Sequence, residues 1–140
     1  MASIKLDIRG LSQTLYEQVK AELPVRALQA SMALRNAEIQ VLAGQRSGRT
    51  YRAPTGGTYT ASAPGEPPAV RTNTLRGRFR PVTDGINPVI ENAPAAQYAD
   101  YLEHGTPGGK ISPRPFKEKI IEMARPQIEA IYNRPYTFKL

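Results

Sequence analysis

The stretch Leu11–Gly44, LSQTLYEQVKAELPVRALQASMALRNAEIQVLAG, decides the fold. Leu11, Leu15, Val19 and Leu23 recur every four residues, as one face of a helix does. Val25, Leu28, Met32, Ile39 and Leu42 form a second stripe, turned well over ~90° from the first at about 100° per residue. The change falls at Pro24. An interior proline removes a helical hydrogen bond and costs roughly 3 kcal/mol. Either the helix kinks there, or it is one rod with two buried faces, the second against a neighbouring surface. Gly44 marks its C-terminal end.

Before this helix, Ile4, Leu6 and Ile8 alternate with Lys5, Asp7 and Arg9, the period of a half-buried strand closed by Gly10. After it, residues 44–77 carry no sustained period and are rich in Gly, Pro, Ser, Thr and Arg. Pro67-Pro68 favours extended backbone without internal hydrogen bonds. Such a stretch reads as a long extended arm that gains order by lying on something else. Next, Arg78–Thr83 and Ile86–Asn92 flank Asp84-Gly85, a hairpin signal, with Pro81 and Pro88 expected at edge or non-bonded positions. A short helix follows, capped by Asn92, with Pro94 in its first turn, Tyr98, Tyr101 and Leu102 on its apolar face, and Gly105 at its end. Phe116, Ile120, Ala124, Ile128 and Ile131 mark a final amphipathic helix interrupted by Pro126. Tyr136–Leu140 is expected as a last strand. The fold class is α+β: a single domain over 1–140, with a small antiparallel sheet packed by a long N-terminal and a C-terminal helix.

The 140 residues carry a formal charge of +7. Residues 44–82 hold seven arginines and one acid, Glu66, and so contribute +6 of it. There is no cysteine, which excludes disulfides, thiolate zinc sites and cysteine nucleophiles. No apolar run approaches the ~18–20 residues that span a bilayer, so no membrane partner is expected. The N-terminus lacks the apolar core of a secretory signal.

His104, with Asp100 and Glu103, reads as polar groups at a helix end rather than a metal site. Gly105–Ser112 departs from the phosphate-loop pattern, with His104 where its first glycine belongs and Ile111 after Lys110. No nucleophile elbow is present. The reading is therefore no enzyme, no catalytic or metal residue and no cofactor. The basic segment places Arg46, Arg49, Arg52, Arg71, Arg76, Arg78 and Arg80 among Tyr51 and Tyr59. These side chains suit DNA phosphate contact, docking onto an acidic protein partner, or simple solvation.

Two segments are distinctive. One is Ser62-Ala-Pro-Gly-Glu-Pro-Pro-Ala-Val-Arg-Thr72 with Leu75-Arg76; the other is Tyr98-Ala-Asp-Tyr-Leu-Glu-His-Gly-Thr106 with Pro113-Arg-Pro-Phe116. Together they resemble the gene-ten-like minor tail component family of tailed bacteriophages. The chain departs in having Asn73-Thr74 where the family pattern has Thr-Gly before Leu-Arg. The resemblance implies a structural virion protein at the neck or tail-completion position. It would be assembled in the host cytoplasm and form a ring with itself, of six or twelve subunits, through which genomic DNA passes. Its neighbours would be head-completion, connector and tail proteins. It further implies a subunit-interface arm at Ser62, Pro64, Gly65, Glu66, Pro67, Pro68, Arg71 and Leu75. Tyr98, Tyr101, Leu102, Glu103, Gly105, Thr106, Arg114, Pro115 and Phe116 would be the structural motif. Within it, Tyr98, Tyr101, Leu102 and Phe116 would pack the C-terminal helix, and Glu103 would pair with Arg114. Head closure or tail termination are neighbouring roles that sequence does not separate. The alternative is a free-standing basic nucleic-acid-binding protein.

Overall fold

A computed structural model describes residues 2–52, 56–69, 74–110 and 112–139. The architecture is α+β. Helix α1 (Arg9–Ala43) is followed by the hairpin β1 (Thr50–Arg52) and β2 (Thr58–Thr60), the single turn α2 (Thr74–Gly77) and the hairpin β3 (Arg80–Asp84) and β4 (Asn87–Glu91). A 3-10 turn at Ala93–Ala95 leads into α3 (Ala96–His104), and α4 (Lys117–Asn133) closes the fold. Each hairpin is a separate two-stranded antiparallel sheet.

Helix α1 runs unbroken for 35 residues with Pro24 inside it. Its buried face is not the one that the large residues mark. Ala27, Ala30, Ala33, Ala37, Val41 and Leu42 face inward, whereas Val25, Leu28, Met32 and Ile39 are exposed on the opposite side. The physical reason is closeness: α1 packs against both α4 and the β3–β4 hairpin, and small side chains let backbones approach where leucines would hold them apart. Ser31 shows how close. Its hydroxyl accepts the Val89 N–H at 3.0 Å and donates to a carbonyl oxygen, with those of Ala27 and Val82 both in reach, so it ties α1 to both strands.

The expected N-terminal strand is not formed. Residues 2–8 have no strand partner, and Ile4 and Leu6 are almost wholly exposed. Alternation marks a chain suited to a strand, but a strand exists only with a neighbour to bond. Helix α1 starts earlier than the pattern suggests because Asp7 accepts the Arg9 N–H at 3.1 Å and pairs with its guanidinium. Gly44 stands at the end of α1 in extended rather than left-handed backbone.

The β3–β4 turn also differs by one step. Asp84 pairs with Asn87, so Gly85 and Ile86 form the turn, with Gly85 at φ +61°. A turn centred on Asp84-Gly85 would pair Pro81 with Pro88 at a hydrogen-bonded position, where neither has an N–H to give. The observed register sets Pro81 against Ile90 and Pro88 against Thr83, both at non-bonded positions of the alternating ladder. The core joins Leu42 and Val41 of α1, Leu75 of α2, Ala99 and Leu102 of α3, and Phe116, Ile120 and Ala124 of α4. Helix α4 continues through Pro126.

Beyond α4, residues 134–139 form no strand but lie back along α1. The Gln18 amide bonds Lys139 twice, giving to its C=O at 2.7 Å and taking its N–H at 2.8 Å. Arg26, fully buried, completes the junction. It donates to the carbonyls of Ile131, Tyr132, Arg134 and Pro135 at 2.5–3.3 Å and to Glu22 at 3.1 Å. Its guanidinium carbon lies 3.8 Å from the Tyr136 ring centroid. The last turn of α4 carries no basic residue of its own, so the cation that its free carbonyls and dipole favour comes from α1.

Arg26→Ala is expected to destabilise the fold by about 3–5 kcal/mol, since four carbonyls lose a buried donor together. Arg26→Lys should recover only part, because an ammonium lacks the planar fork of donors. Thermal unfolding of the two variants checks both statements.

Candidate functional site

The two distinctive segments, far apart in sequence, meet in space. Arg114 donates through Nε to the Ser62 hydroxyl at 3.0 Å and carbonyl at 3.2 Å. The Gly65 N–H reaches the Pro113 carbonyl at 3.2 Å. Lys119 of α4 gives a hydrogen bond to the Gly65 carbonyl at 2.8 Å. Glu103, at the end of α3, accepts the N–H groups of Phe116 and Lys117 at 2.8 and 3.2 Å. It thereby caps the N-terminus of α4, where a carboxylate is favoured. The expected Glu103–Arg114 pair is therefore not made: Glu103 serves the helix start and Arg114 serves the 62–65 turn. The Arg114 N–H meanwhile bonds the Leu102 carbonyl at 2.5 Å. Gly105 closes α3, its N–H on the Tyr101 carbonyl at 2.8 Å, and Thr106 accepts the Gly109 N–H in the turn that follows. Leu102 and Phe116 are buried and Pro115 half-buried, but Tyr98 and Tyr101 are exposed. Ala99, next to Tyr98 and one turn before Leu102, takes the inward place that the tyrosines were expected to hold.

The residues read as an extended arm fold back on their own chain. Glu66 accepts the N–H groups of Ser47 and Ala63 at 3.0 and 2.8 Å and the Ser47 hydroxyl. These bonds hold its carboxyl far down, to about 2. Arg46 donates to Pro67 at 2.6 Å, to Pro68 at 3.1 Å and to the Val41 carbonyl at the end of α1 at 2.7 Å. Pro68 is buried, Pro67 half-buried and Pro64 exposed. Leu75 sits in the core rather than on an outward arm. Arg71 lies outside the described residues.

This clasp is the base of the β1–β2 hairpin. Gly48 and Ala61 bond at 2.8 Å and Ala61 and Arg49 at 2.9 Å below the paired strands. A Cβ on Gly48 would meet the Ala61 carbonyl oxygen at 2.5 Å, so only glycine lets the strands close there. Among the described residues, β1 is exposed while Tyr59 and Thr60 of β2 are half-buried and border α1 and α2 in one groove. Tyr51 and Tyr59 stack across it with centroids 5.6 Å apart, and the Arg49 guanidinium lies 5.2 Å from the Tyr51 ring centroid.

The arginines of the basic segment separate accordingly. Arg46 is engaged inside the clasp. Arg80 pairs with Glu91 at 2.7 Å across the β3–β4 ladder. Arg76 is half-buried near Glu38 and lines, with Arg46 and Tyr59, an open groove of about 490 Å³. Arg49, Arg52 and Arg78 are exposed.

Glu38 escaped the sequence reading. It is fully buried on α1 and paired with Arg35, but its Oε1 has no hydrogen-bond partner among the described residues. Burial pushes its carboxyl up to about 7, against the pull of Arg35 and Arg76. Among the described residues no group of carboxylates, histidines or cysteines is placed to hold a metal, and no helix is long and apolar enough to cross a membrane. Asp100 lies 3.5 Å from Lys117 instead.

The two carboxyls give opposite pH dependences. Glu38 is raised in the folded state, so its contribution is full below its ordinary value near 4.5 and is lost as pH rises through about 7. Glu66 is depressed, so its contribution is present above 4.5 and is lost as pH falls toward about 2. Glu38→Gln is expected to raise the melting temperature at pH 8 and change it little at pH 5. Glu66→Gln is expected to lower it at pH 7 and to flatten the acid limb. Melting curves across pH for the two variants check this.

No family model, curated protein or solved structure matches the chain.

Proposed function

We propose that the chain is a structural virion protein of a tailed bacteriophage. In this reading it forms a homo-oligomeric ring at the head–tail junction, at the neck or tail-completion position, and DNA passes through that ring. The observation that supports this reading is the clasp. The residues that carry the family resemblance, Ser62–Pro68 and Leu102–Phe116, bond one another and so fix a basic hairpin at a set position on the body. In a ring the same contact is repeated at every interface, and a hairpin anchored at its base offers one such contact surface. The reading assigns the protein no catalysis and no cofactor. Its partners are further copies of itself, adjacent head-completion, connector and tail proteins, and DNA held without regard to sequence.

A second reading, a free-standing nucleic-acid-binding protein, is favoured by one feature: the stacked Tyr51 and Tyr59 beside the exposed Arg49 and Arg52. It expects duplex affinity that falls steeply between low and moderate salt.

Electron microscopy of the purified protein and of virions is the deciding experiment. Closed rings and density at the head–tail junction are expected. A protein missing from mature particles, but binding duplex DNA in the salt-dependent way, would replace the first reading with the second.

A further inference from the structure

Besides the outer face of α1, two apolar surfaces are left uncovered among the described residues. One is the segment before α1, where Ile4, Leu6 and Ile8 are 102%, 81% and 54% exposed and alternate with Lys5 and Asp7. The other is a groove of about 270 Å³ bounded by Leu34 of α1, Phe79, Pro88 and Ile90 at the β3–β4 hairpin, and Ile120 and Ile121 of α4. We infer that the groove of one copy receives the Ile4–Ile8 segment of a second copy.

The occupant cannot be the chain's own segment. Leu34 lies about seven helical turns from Arg9, on the order of 37 Å at 1.5 Å per residue. Ile4 extends at most ~18 Å beyond Arg9 even when fully stretched. Only another molecule can bring these side chains to the groove. The chemistry of the two surfaces also agrees. A segment of period two needs an edge strand beside it, and β4 has no second strand partner among the described residues. The alternation of the ladder turns the backbone groups of Pro88 and Ile90 outward on β4. Pro88 has no N–H to be left unsatisfied, while its carbonyl and both backbone groups of Ile90 can bond an added strand. Main-chain bonds then supply affinity and the groove takes alternate side chains, the arrangement of strand addition.

The donor and acceptor surfaces are different, so the contact is head-to-tail wherever two copies do not exchange segments reciprocally. Repeated contacts of that kind give a ring where the rotation closes and a filament where it does not. The inference thus rests on the ring reading for closure. One such segment covers less than the ~800 Å² per partner of a standard interface, so assembly is expected to be strongly concentration-dependent.

The absence of cysteine makes a direct test on the full chain clean. Leu6→Cys and Ile121→Cys variants, of distinguishable size, are mixed and oxidised. A disulfide between the two is expected, and none when Gln40→Cys replaces Ile121→Cys. In parallel, an Ile4→Asp/Leu6→Asp variant is expected to lose the oligomer in sedimentation while matching the wild-type melting temperature at a dilution where both are monomeric, since these side chains are almost wholly exposed on their own chain. An Ile4→Asp/Leu6→Asp chain that assembles like the wild type would overturn the inference, as would equal cross-linking at Gln40→Cys or a wild-type chain that stays monomeric at every concentration. Rings that persist in the Asp variant would leave the ring reading standing and remove this one. Open filaments held by the segment would do the reverse.

Discussion

The fold depends on one buried guanidinium. Arg26 holds the end of α4 and the chain beyond it against α1, taking the free carbonyls of a helix terminus that has no cap of its own. The same residue braces α1. Glu22 and Arg26, a turn apart, stand on either side of Pro24, where the helix lacks one backbone hydrogen bond. Their pair is partly screened, because Glu22 is about a third exposed, and alone it would be worth little. Its effect is larger here because the guanidinium is already fixed by Tyr136 and by four carbonyls. A single set of contacts thus secures the long helix at its weakest point and joins it to the last one.

From this junction the rest follows in layers. With α4 fixed along α1, the alanine face of α1 and the Ser31 hydroxyl bring in the β3–β4 hairpin. Phe116 then fills the space between α4, α3 and the end of α1. The clasp is built outside this core and consists mostly of hydrogen bonds to backbone groups. That suits a Pro-rich segment. Extended, proline-rich backbone leaves its carbonyls open, and Arg46, Arg114 and Lys119 bring side-chain donors to Pro67, Pro68, Ser62 and Gly65.

How much of this was legible in the sequence depends on how far each element's signal is local. The final helix and the second hairpin were readable, because Phe116, Ile120 and Ala124 repeat at one helical turn and Gly85 supplies the turn. The two prolines even contained the register, once their missing N–H groups are placed on the alternating ladder. For α1 the large residues misled. Val25, Leu28, Met32 and Ile39 face out, and the inward face is carried by Ala27, Ala30, Ala33 and Ala37, a signal visible in the sequence but easily passed over beside leucine and methionine. The Ile4–Ile8 alternation points to a strand that is not formed, because among the described residues it pairs with no other strand. Arg26 and Glu38 could not be placed at all, since their partners are decided by tertiary packing. For the site, the two motifs were legible as segments. Their bonding to each other was not, nor was the exchange by which Glu103 caps α4 while Arg114 turns to Ser62.

The charge of the middle segment changes meaning once its arginines are placed. A run of +6 invites the idea of a uniform basic surface, but the charges differ in what they face. Arg46 is bound to carbonyls inside the clasp, Arg80 is opposed by Glu91, and Arg76 offsets the buried Glu38. Interactions between exposed charges fade beyond ~8 Å at physiological ionic strength. The field that a partner meets is therefore set by nearby groups and not by the total. Arg49 and Arg52 stand on the projecting hairpin beside a tyrosine stack, in a part of the chain with no acid between Gly44 and Gly65. Among the described residues of this segment, the outward positive charge is thus carried by Arg49 and Arg52 on a hairpin whose base is locked, and by Arg78 ahead of β3.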